Sequence, residues 1–336
     1  MITVSLCMIV KNEEKILQRC LDSLADLVEE IIIVDTGSTD NTKEIAQQYT
    51  QYVYDYVWEG DFAAARNYSF EKATQDYIYC ADADEVLDEI NRERFLQLKQ
   101  VLLPEIEIVQ MYYCNQLQYN TVYNYDKEYR PKLYRRLRSF HWQDPVHEVV
   151  RLEPVVYDSD IEILHLPSGG HAARDIMYFE NMWKNGVHIS KRLHNMYARE
   201  LFIAGKDRDF QEAQGFFLST SEDTQRSADE VMEACCVLTR AARLRADDTE
   251  FMKYALKGVA AEGCAEICHE LGMFFQDKKD YKEASIWYYN AAYETECMLY
   301  SQCAIEARKV LAECYRKLGY NEMAQEVLDT MQEEIG

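Results

Sequence analysis

The chain has 336 residues, of which 48% are hydrophobic and 28% charged, a balance that excludes a disordered protein. This length is too great for one ordinary core, so two domains are expected. The net charge of −23 argues against nucleic acid or an anionic membrane surface as a partner, because both bind basic faces. An acidic protein more naturally attracts a basic peptide or a metal cation, and the charge alone does not distinguish these two partners.

The cysteine pattern and the first residues bear on location. The 11 cysteines include no CxxC pair, which favours reduced thiols in a cytoplasmic protein over a secreted disulfide framework. The chain begins MITVSLCMIV, without a basic segment or a small-residue cleavage site, so we interpret it as a buried strand rather than a signal. No apolar run approaches the roughly 20 residues of a membrane helix, so we expect no membrane insertion.

The first half of the sequence alternates between short apolar runs and amphipathic stretches. It predicts strands at 2–10, 31–34, 51–58 and 77–80, and helices at 13–27, 41–50 and 62–74. Such alternation indicates a parallel sheet covered on both faces, which binds ligands beyond the carboxyl ends of its strands. Polar clusters follow three of these strands, at 11–13, 35–40 and 82–84. We therefore expect an α/β domain over residues 1–170 with its ligand site at that edge.

From about residue 172 the pattern becomes helical, beginning with one long stretch over 172–193. Small and large residues then recur at tetratricopeptide spacing. The members are Leu271, Gly272, Phe275, Ala284, Tyr288 and Ala291, then Ala312, Tyr315, Ala324, Leu328 and Met331, and more loosely Leu201, Ala204, Ala213, Phe217 and Thr220. Small residues at these offsets let two helices approach closely. We expect an all-α tetratricopeptide-like domain over 171–336, with 225–262 a degenerate pair, Ser168–His171 a hinge, and a concave face for an acceptor or partner.

The acidic run Asp82-Ala83-Asp84-Glu85 emerges directly after the apolar run 77–80. Carboxylates gathered at one edge repel one another unless a cation neutralises them, and their oxygens are ligands that Mg²⁺ and Mn²⁺ prefer. The alternative is a solvated turn that caps a helix starting near Val86, because acidic residues favour helix N-termini. The tripeptide alone does not decide between a metal site and a cap.

Two further loops contain candidate ligand contacts. Asp35 has the chemistry to accept hydrogen bonds from a base or a ribose, and the alternative is an N-cap turn formed by Ser38 or Asp40. The Lys11–Glu13 loop is a weaker candidate, because a polar loop after one strand needs no ligand to explain it. Arg66 suits either a bidentate contact with a diphosphate or a surface ion pair.

Four motifs, MIVKNEE, IIIVDTGSTDNT, DFAAARN and ADADE, occur in an order and spacing that resemble the family 2 glycosyltransferases with a GT-A fold. The similarity is greatest to the branch in which that domain precedes tetratricopeptide-like helices, which includes sublancin-type peptide S-glycosyltransferases. The resemblance implies a metal-dependent, inverting hexosyltransferase with a UDP-sugar donor, Mn²⁺ or Mg²⁺ as cofactor, and a peptide or protein acceptor. The residues it implies for nucleotide-sugar binding are Asn12, Glu13, Asp35, Ser38, Arg66, Asp82 and Arg130, and for the metal Asp84, Asp82 and His165.

A basic segment follows in this acidic chain. Its cations are Lys127, Arg130, Lys132, Arg135, Arg136 and Arg138. Beside a diphosphate such an island would stabilise the leaving group, and the alternative is a charged hairpin that balances nearby acids. The segment RPKLYR is similar to a family motif, which favours a strand lining the site over Arg130–Arg135.

The acceptor side of the reaction is the least determined. An inverting transfer needs a base for the acceptor proton, and Glu148 is the first candidate, with His147 and Asp144 as competitors. The family usually shows an acceptor-side ED pair, and this chain has no clear equivalent.

Two other functions stay open. One is a catalytically inactive scaffold whose helices recruit a partner, and the other, less favoured, is a nucleotidyltransferase, which would need a glycine-rich basic loop after the first strand. The sequence leaves the sugar, the acceptor and the preferred metal undetermined, and it leaves a homodimer open.

Overall fold

The computed structural model describes residues 1–114, 127–137, 142–150, 155–167 and 172–333. The chain divides into two compact units, Met1–Gly170 and His171–Gly336. The predicted hinge at Ser168–His171 and the cation Arg138 lie outside the described residues. Within the described part, no helix has both the length and the apolar character needed to cross a membrane.

The N-terminal unit is an α/β structure built on one large sheet. Its strands are β1 (Val4–Val10), β2 (Glu30–Asp35), β3 (Val53–Asp55), β4 (Tyr77–Cys80), β5 (Glu85–Val86), β6 (Ile108–Cys114), β7 (Glu128–Arg135), β8 (Trp142–Gln143), β9 (Val149–Val150) and β10 (Val156–His165). Its helices are α1 (Leu17–Leu24), α2 (Thr42–Gln47), α3 (Phe62–Lys72) and α4 (Glu89–Val101), with a 3₁₀ turn at Ala25–Leu27.

The large sheet is mixed, with the order β3-β2-β1-β4-β7-β6-β10-β5, and β8 pairs with β9 in a separate hairpin. Strands β1 to β4 are mutually parallel, β7 runs antiparallel between β4 and β6, and β10 is parallel to β6. The carboxyl ends of β1, β2, β4 and β10 therefore lie at one edge of the sheet. This arrangement confirms an α/β GT-A-like unit and places the three polar loop segments after β1, β2 and β4 on a common side.

Side-chain alternation along the strands explains why the sheet is covered on both faces. On β1, Leu6 and Met8 pack into one apolar cluster, whereas Cys7 packs into another with Ile32 and Ile78. Successive side chains of a strand point to opposite faces, so a strand that is apolar throughout has to be buried on both.

The short strand β5 decides between the two interpretations of the acidic run. Residues Glu85–Val86 form a strand, not the start of a helix, and helix α4 begins later, at Glu89. Asp88 caps that helix by accepting a hydrogen bond from Asn91 N–H at 2.9 Å. The interpretation of Asp82–Glu85 as the cap of a helix near Val86 is therefore wrong.

The C-terminal unit is all α in its described part. Its helices are α5 (Ala172–Lys184), α6 (Lys191–Ala204), α7 (Asp207–Glu222), α8 (Ala228–Leu244), α9 (Asp248–Ala260), α10 (Ala265–Asp277), α11 (Tyr281–Tyr289), α12 (Cys303–Leu318) and α13 (Asn321–Glu333), with a π-helical turn at Asn290–Glu294. The single helix predicted over 172–193 is wrong. The chain turns at Gly186, whose φ of 69° is left-handed, and Ser190 caps α6.

The helix pairs pack as the tetratricopeptide spacing predicts. A Cβ at Gly272 of α10 would lie 2.6 Å from ring atoms of Tyr288 on α11, so only glycine permits this approach. Ala284 and Ala291 are fully buried in the same pair, and Ala312 and Ala324 are buried in the next. Small residues at the crossing points therefore set the spacing of these helices.

Candidate active site

The loops after β1 and β2 are joined by hydrogen bonds at the carboxyl edge of the sheet. Asn12 N–H donates to Ser38 Oγ at 2.9 Å, and Thr39 N–H donates to Asn12 Oδ1 at 2.8 Å. Glu13 N–H donates to Thr42 Oγ1 at 2.7 Å. The structure thus brings Asn12, Glu13 and Ser38 together, and Ser38 holds the neighbouring loop instead of capping α2.

Asp35 ends β2 and is almost completely buried. Its Oδ1 accepts hydrogen bonds from the N–H groups of Gly37 and Ser38, both at 2.8 Å. Gly37 has a φ of 100°, which few side-chain-bearing residues adopt, and this lets the turn fold back onto the carboxylate. The buried Oδ2 has no hydrogen-bond partner among the described residues. A buried acceptor without a donor is costly, so this oxygen suits a ligand N–H or hydroxyl.

Arg66 joins the turn after β4 to the β8–β9 hairpin. The buried guanidinium lies on α3, where it donates to Asp82 Oδ1 at 2.7 Å and to Glu148 Oε1 at 2.5 Å. Its third donor reaches Cys80 Sγ, and its Cζ lies 4.8 Å from the centre of the Trp142 ring. Burial alone would lower the pKa of Arg66, but Asp82, Cys80 and Glu148 outweigh it and raise the pKa.

In the Arg66–Asp82 ion pair, the Asp82 carboxylate is the more accessible group, with 38% of its side chain exposed. Partial burial acts to raise the pKa of Asp82, but the cations Arg66 and Lys132 outweigh it and lower the pKa. Asp82 therefore stays ionised near neutral pH, as a metal or ribose contact requires.

Asp84 and His165 meet across strands β5 and β10. The distance between Asp84 Oδ2 and His165 Nε2 is 3.0 Å, and both side chains are largely buried. Leu166 N–H donates to the Asp84 carbonyl at 2.8 Å, which fixes the two segments to each other. A carboxylate beside an imidazole at a strand edge is a donor set that Mn²⁺ accepts, so the residues present fit the implied cation.

Arg130 and His165 both lie beside the ring of Tyr113. Its guanidinium lies 4.0 Å from the centre of the Tyr113 ring, and that ring lies 5.1 Å from His165. Arg130 Nε also donates to Glu128 at 2.8 Å. Tyr113 could not be recognised from the sequence, because it is one of several apolar and aromatic residues in β6.

The basic island is divided by the structure. Lys132 is buried and donates to Glu85, and Lys127 pairs with Glu162. Arg135, in contrast, lies opposite Tyr77 at the start of β4, away from the carboxyl edge. The two ends of β7 lie at opposite edges of the sheet, so this strand does not bring all of these cations to the carboxyl edge.

The residues Asp144, His147 and Glu148 occupy the β8–β9 hairpin. Phe62 N–H at the start of α3 donates to the Pro145 carbonyl at 2.9 Å, which anchors this hairpin beside Arg66. Asp144 and His147 have φ values of 69° and 49°, a region that non-glycine residues seldom occupy. Such backbone conformations concentrate at functional sites. Of the three residues, Glu148 is the one whose side chain is ion-paired to Arg66.

Comparison with known proteins bears on the family of the N-terminal unit. Residues 5–151 match the family model described as glycosyl transferase family 2. A tetratricopeptide repeat-containing protein of Synechococcus elongatus is 37% identical over 155 residues, and the glycosyltransferase SunS of Bacillus subtilis strain 168 is 32% identical over 165 residues. These matches cover 45% and 47% of this chain, and 36% of each relative.

Among solved structures, a likeness extends to glucosyl-3-phosphoglycerate synthase from Mycobacterium tuberculosis in complex with Mn²⁺ and UDP-glucose. The TM-score is 0.39 at 13% identity, with 56% of this chain and 81% of that chain covered.

Proposed function

Because the N-terminal unit of this chain belongs to glycosyl transferase family 2, we propose that the protein transfers a sugar from a UDP-sugar donor to a peptide side chain. One observation carries the proposal: the Arg66–Asp82 ion pair, the Asp84–His165 contact and the buried Asp35 carboxylate all lie at the carboxyl edge of one sheet. A degenerate scaffold has no physical need for such costly buried charge at a ligand edge.

The roles follow from chemistry. Asp35 accepts from the uracil or ribose through its unpaired oxygen, with Asn12, Glu13 and Ser38 shaping the pocket around it. Asp84, Asp82 and His165 hold the divalent cation, Mn²⁺ or Mg²⁺, which supplies positive charge to the leaving diphosphate. Arg130 adds a cation on the side of His165.

Inversion requires a base opposite the leaving group. Glu148 is the first candidate, because Arg66 binds one of its carboxylate oxygens and also binds Asp82. His147 and Asp144 lie in the same hairpin and are the competing candidates.

The peptide acceptor rests on two observations. The sequence motifs of the N-terminal unit resemble the branch that includes sublancin-type peptide S-glycosyltransferases, and the C-terminal unit stacks helix pairs of the kind that hold peptides. The net charge of −23 favours an acceptor with basic residues.

The test is release of UDP from UDP-glucose, UDP-galactose and UDP-N-acetylglucosamine, with Mn²⁺ or Mg²⁺ and again in EDTA, together with UDP-dependent thermal stabilisation. We expect metal-dependent turnover with one donor, and loss of metal dependence in Asp84→Ala. If no donor turns over and UDP with metal leaves the melting temperature unchanged, the proposed function is wrong and the scaffold is favoured.

A further inference from the structure

A buried ion pair lies directly beneath the acidic turn. Lys132 of β7 donates to Oε1 of Glu85, and the exposed fractions of the two side chains are 8% and 1%. The second carboxylate oxygen, Oε2, has no hydrogen-bond partner among the described residues. Burying two charges costs desolvation free energy, and apolar residues of similar volume often stabilise a protein equally well. Stability alone therefore does not account for this pair.

The backbone of β7 is irregular at the residue that supplies the cation. Val109 of β6 lies opposite Leu133, but the next residue, Gln110, lies opposite Pro131. Lys132 is thus the extra residue of a β-bulge, a feature that redirects side chains beside active sites. Pro131 fits an interior strand only at such a bulge, because it cannot donate to the ladder.

The backbone of Glu85 is linked directly to the candidate metal ligands. It follows Asp84 directly, and its backbone pairs with His165 in the β5–β10 ladder. Its N–H donates to the Asp82 carbonyl at 3.2 Å. A change in the position of Glu85 would therefore shift all three of these residues together.

We propose that the Lys132–Glu85 pair is a positioning device, which holds the turn 82–85 against β7 and β10 so that Asp84 and His165 meet at one cation. This inference rests on the proposed function, since it concerns the metal site. Both side chains of the pair are buried. They act by fixing ligands, as outer-shell partners do in other metal sites.

The test uses the full chain and Mn²⁺ alone, with the free ion measured by its electron paramagnetic resonance signal. The double variant Glu85→Leu/Lys132→Met removes both charges at similar volume and should fold. Its dissociation constant for Mn²⁺ should rise about 10- to 100-fold, as is typical for lost outer-shell partners, while its midpoint of urea unfolding stays at or above that of wild type. Equal Mn²⁺ affinity in the folded double variant would overturn the proposal.

A matched control is available at the opposite edge of the sheet. Lys99 is buried and donates to Glu29, near the start of β1. Lys99→Met/Glu29→Gln should leave Mn²⁺ affinity within about twofold, because structural effects at that edge do not reach the ligands; a drop as large as that of the Glu85 variant would also contradict the proposal.

The outcomes separate the two proposals. If wild type itself does not bind Mn²⁺, the proposed function fails rather than the positioning role alone. If the double variant does not fold, Lys132→Met, which removes the donor to Glu85, replaces it: weakened Mn²⁺ binding supports the positioning role, and unchanged or tighter binding overturns it.

Discussion

Arg66 Nε lies 2.5 Å from Oε1 of Glu148, although 82 positions separate the two residues in the chain. The same guanidinium bonds Asp82, so one buried cation links the candidate donor side to the candidate base. A planar donor bonded on two sides permits little movement of either carboxylate. The separation between the DxD turn and the β8–β9 hairpin is therefore set by Arg66.

This geometry makes the role of Glu148 testable. Glu148→Gln keeps an oxygen that accepts from Arg66 but cannot take the acceptor proton. We expect kcat of transfer to fall by about 10²- to 10⁴-fold, the usual contribution of a general base, with UDP affinity within about twofold of wild type. Steady-state kinetics and calorimetric titration with UDP measure the two quantities.

Asp144→Asn and His147→Gln serve as parallel variants, because both residues lie in the same hairpin. A wild-type kcat in Glu148→Gln, combined with a large loss in one of these variants, would transfer the base assignment to that residue.

Asp35 should contribute to donor affinity through its unpaired oxygen. Asp35→Asn retains an oxygen for the N–H groups of Gly37 and Ser38, but it places an amide donor where Oδ2 lies. A hydrogen bond to a charged group contributes about 1.5–3 kcal/mol, so the dissociation constant for UDP should rise about 10- to 100-fold.

The neighbouring strand supplies a control for this variant. Asp55 lies beside Asp35 in the β2–β3 ladder, but its side chain is mostly exposed and pairs with Lys43. Asp55→Asn should leave UDP affinity unchanged. Equal losses in the two variants would indicate a general effect of charge instead of a contact at Asp35.

The sequence alone was enough to predict those site residues whose position depends on the strand immediately before them. Asp35 ends the apolar strand β2 and Asp84 lies in the turn after the apolar strand β4, and the carboxyl ends of parallel strands must meet at one edge. The parallel strands β1 to β4 and the helical unit follow from the periodicity, whereas the antiparallel strand β7 does not. The site residues themselves stay predictions until they are tested by substitution.

The sequence could not give the contacts that depend on distant pairing. Nothing local to Glu148 indicates that it reaches Arg66, and nothing in the acidic run shows that Glu85 forms a two-residue strand. The bulge at Lys132 had one signal, the proline within an otherwise regular strand pattern. Helix ends were missed for a different reason: a left-handed turn such as Gly186 interrupts a helix without changing its apolar spacing.

The C-terminal unit contains a pH-sensitive helix cap at Glu230 of α8. Burial acts to raise the pKa of Glu230, but hydrogen bonds from Ser227 N–H and hydroxyl and from Arg226 outweigh it and lower the pKa to about 2. The folded state thus holds this carboxylate ionised below its ordinary pKa of 4.5. Its stabilisation is complete above pH 4.5 and is lost as the pH falls towards 2.

Glu230→Gln isolates this contribution from the other acidic groups. At pH 7 the variant should be less stable by about 1 kcal/mol, the usual effect of a lost cap, measured by urea unfolding. The difference from wild type should shrink as the pH is lowered from 4.5 towards 2. A difference that stays constant over this interval would show that charge on Glu230 does not contribute.

Two helical glycines of the C-terminal unit should respond to the same substitution with opposite signs. In Gly272→Ala the new methyl would lie 2.6 Å from ring atoms of Tyr288, whose ring is fully buried. Overpacking of this kind costs about 1–3 kcal/mol. In Gly215→Ala of α7 the nearest atom would be Trp183 Nε1 at 3.8 Å, an ordinary contact, so the gain in helix propensity should stabilise by about 0.5–1 kcal/mol. Urea unfolding monitored by circular dichroism measures both, and a stabilised Gly272→Ala would mean that α10 and α11 do not pack as closely as the tetratricopeptide pairing requires.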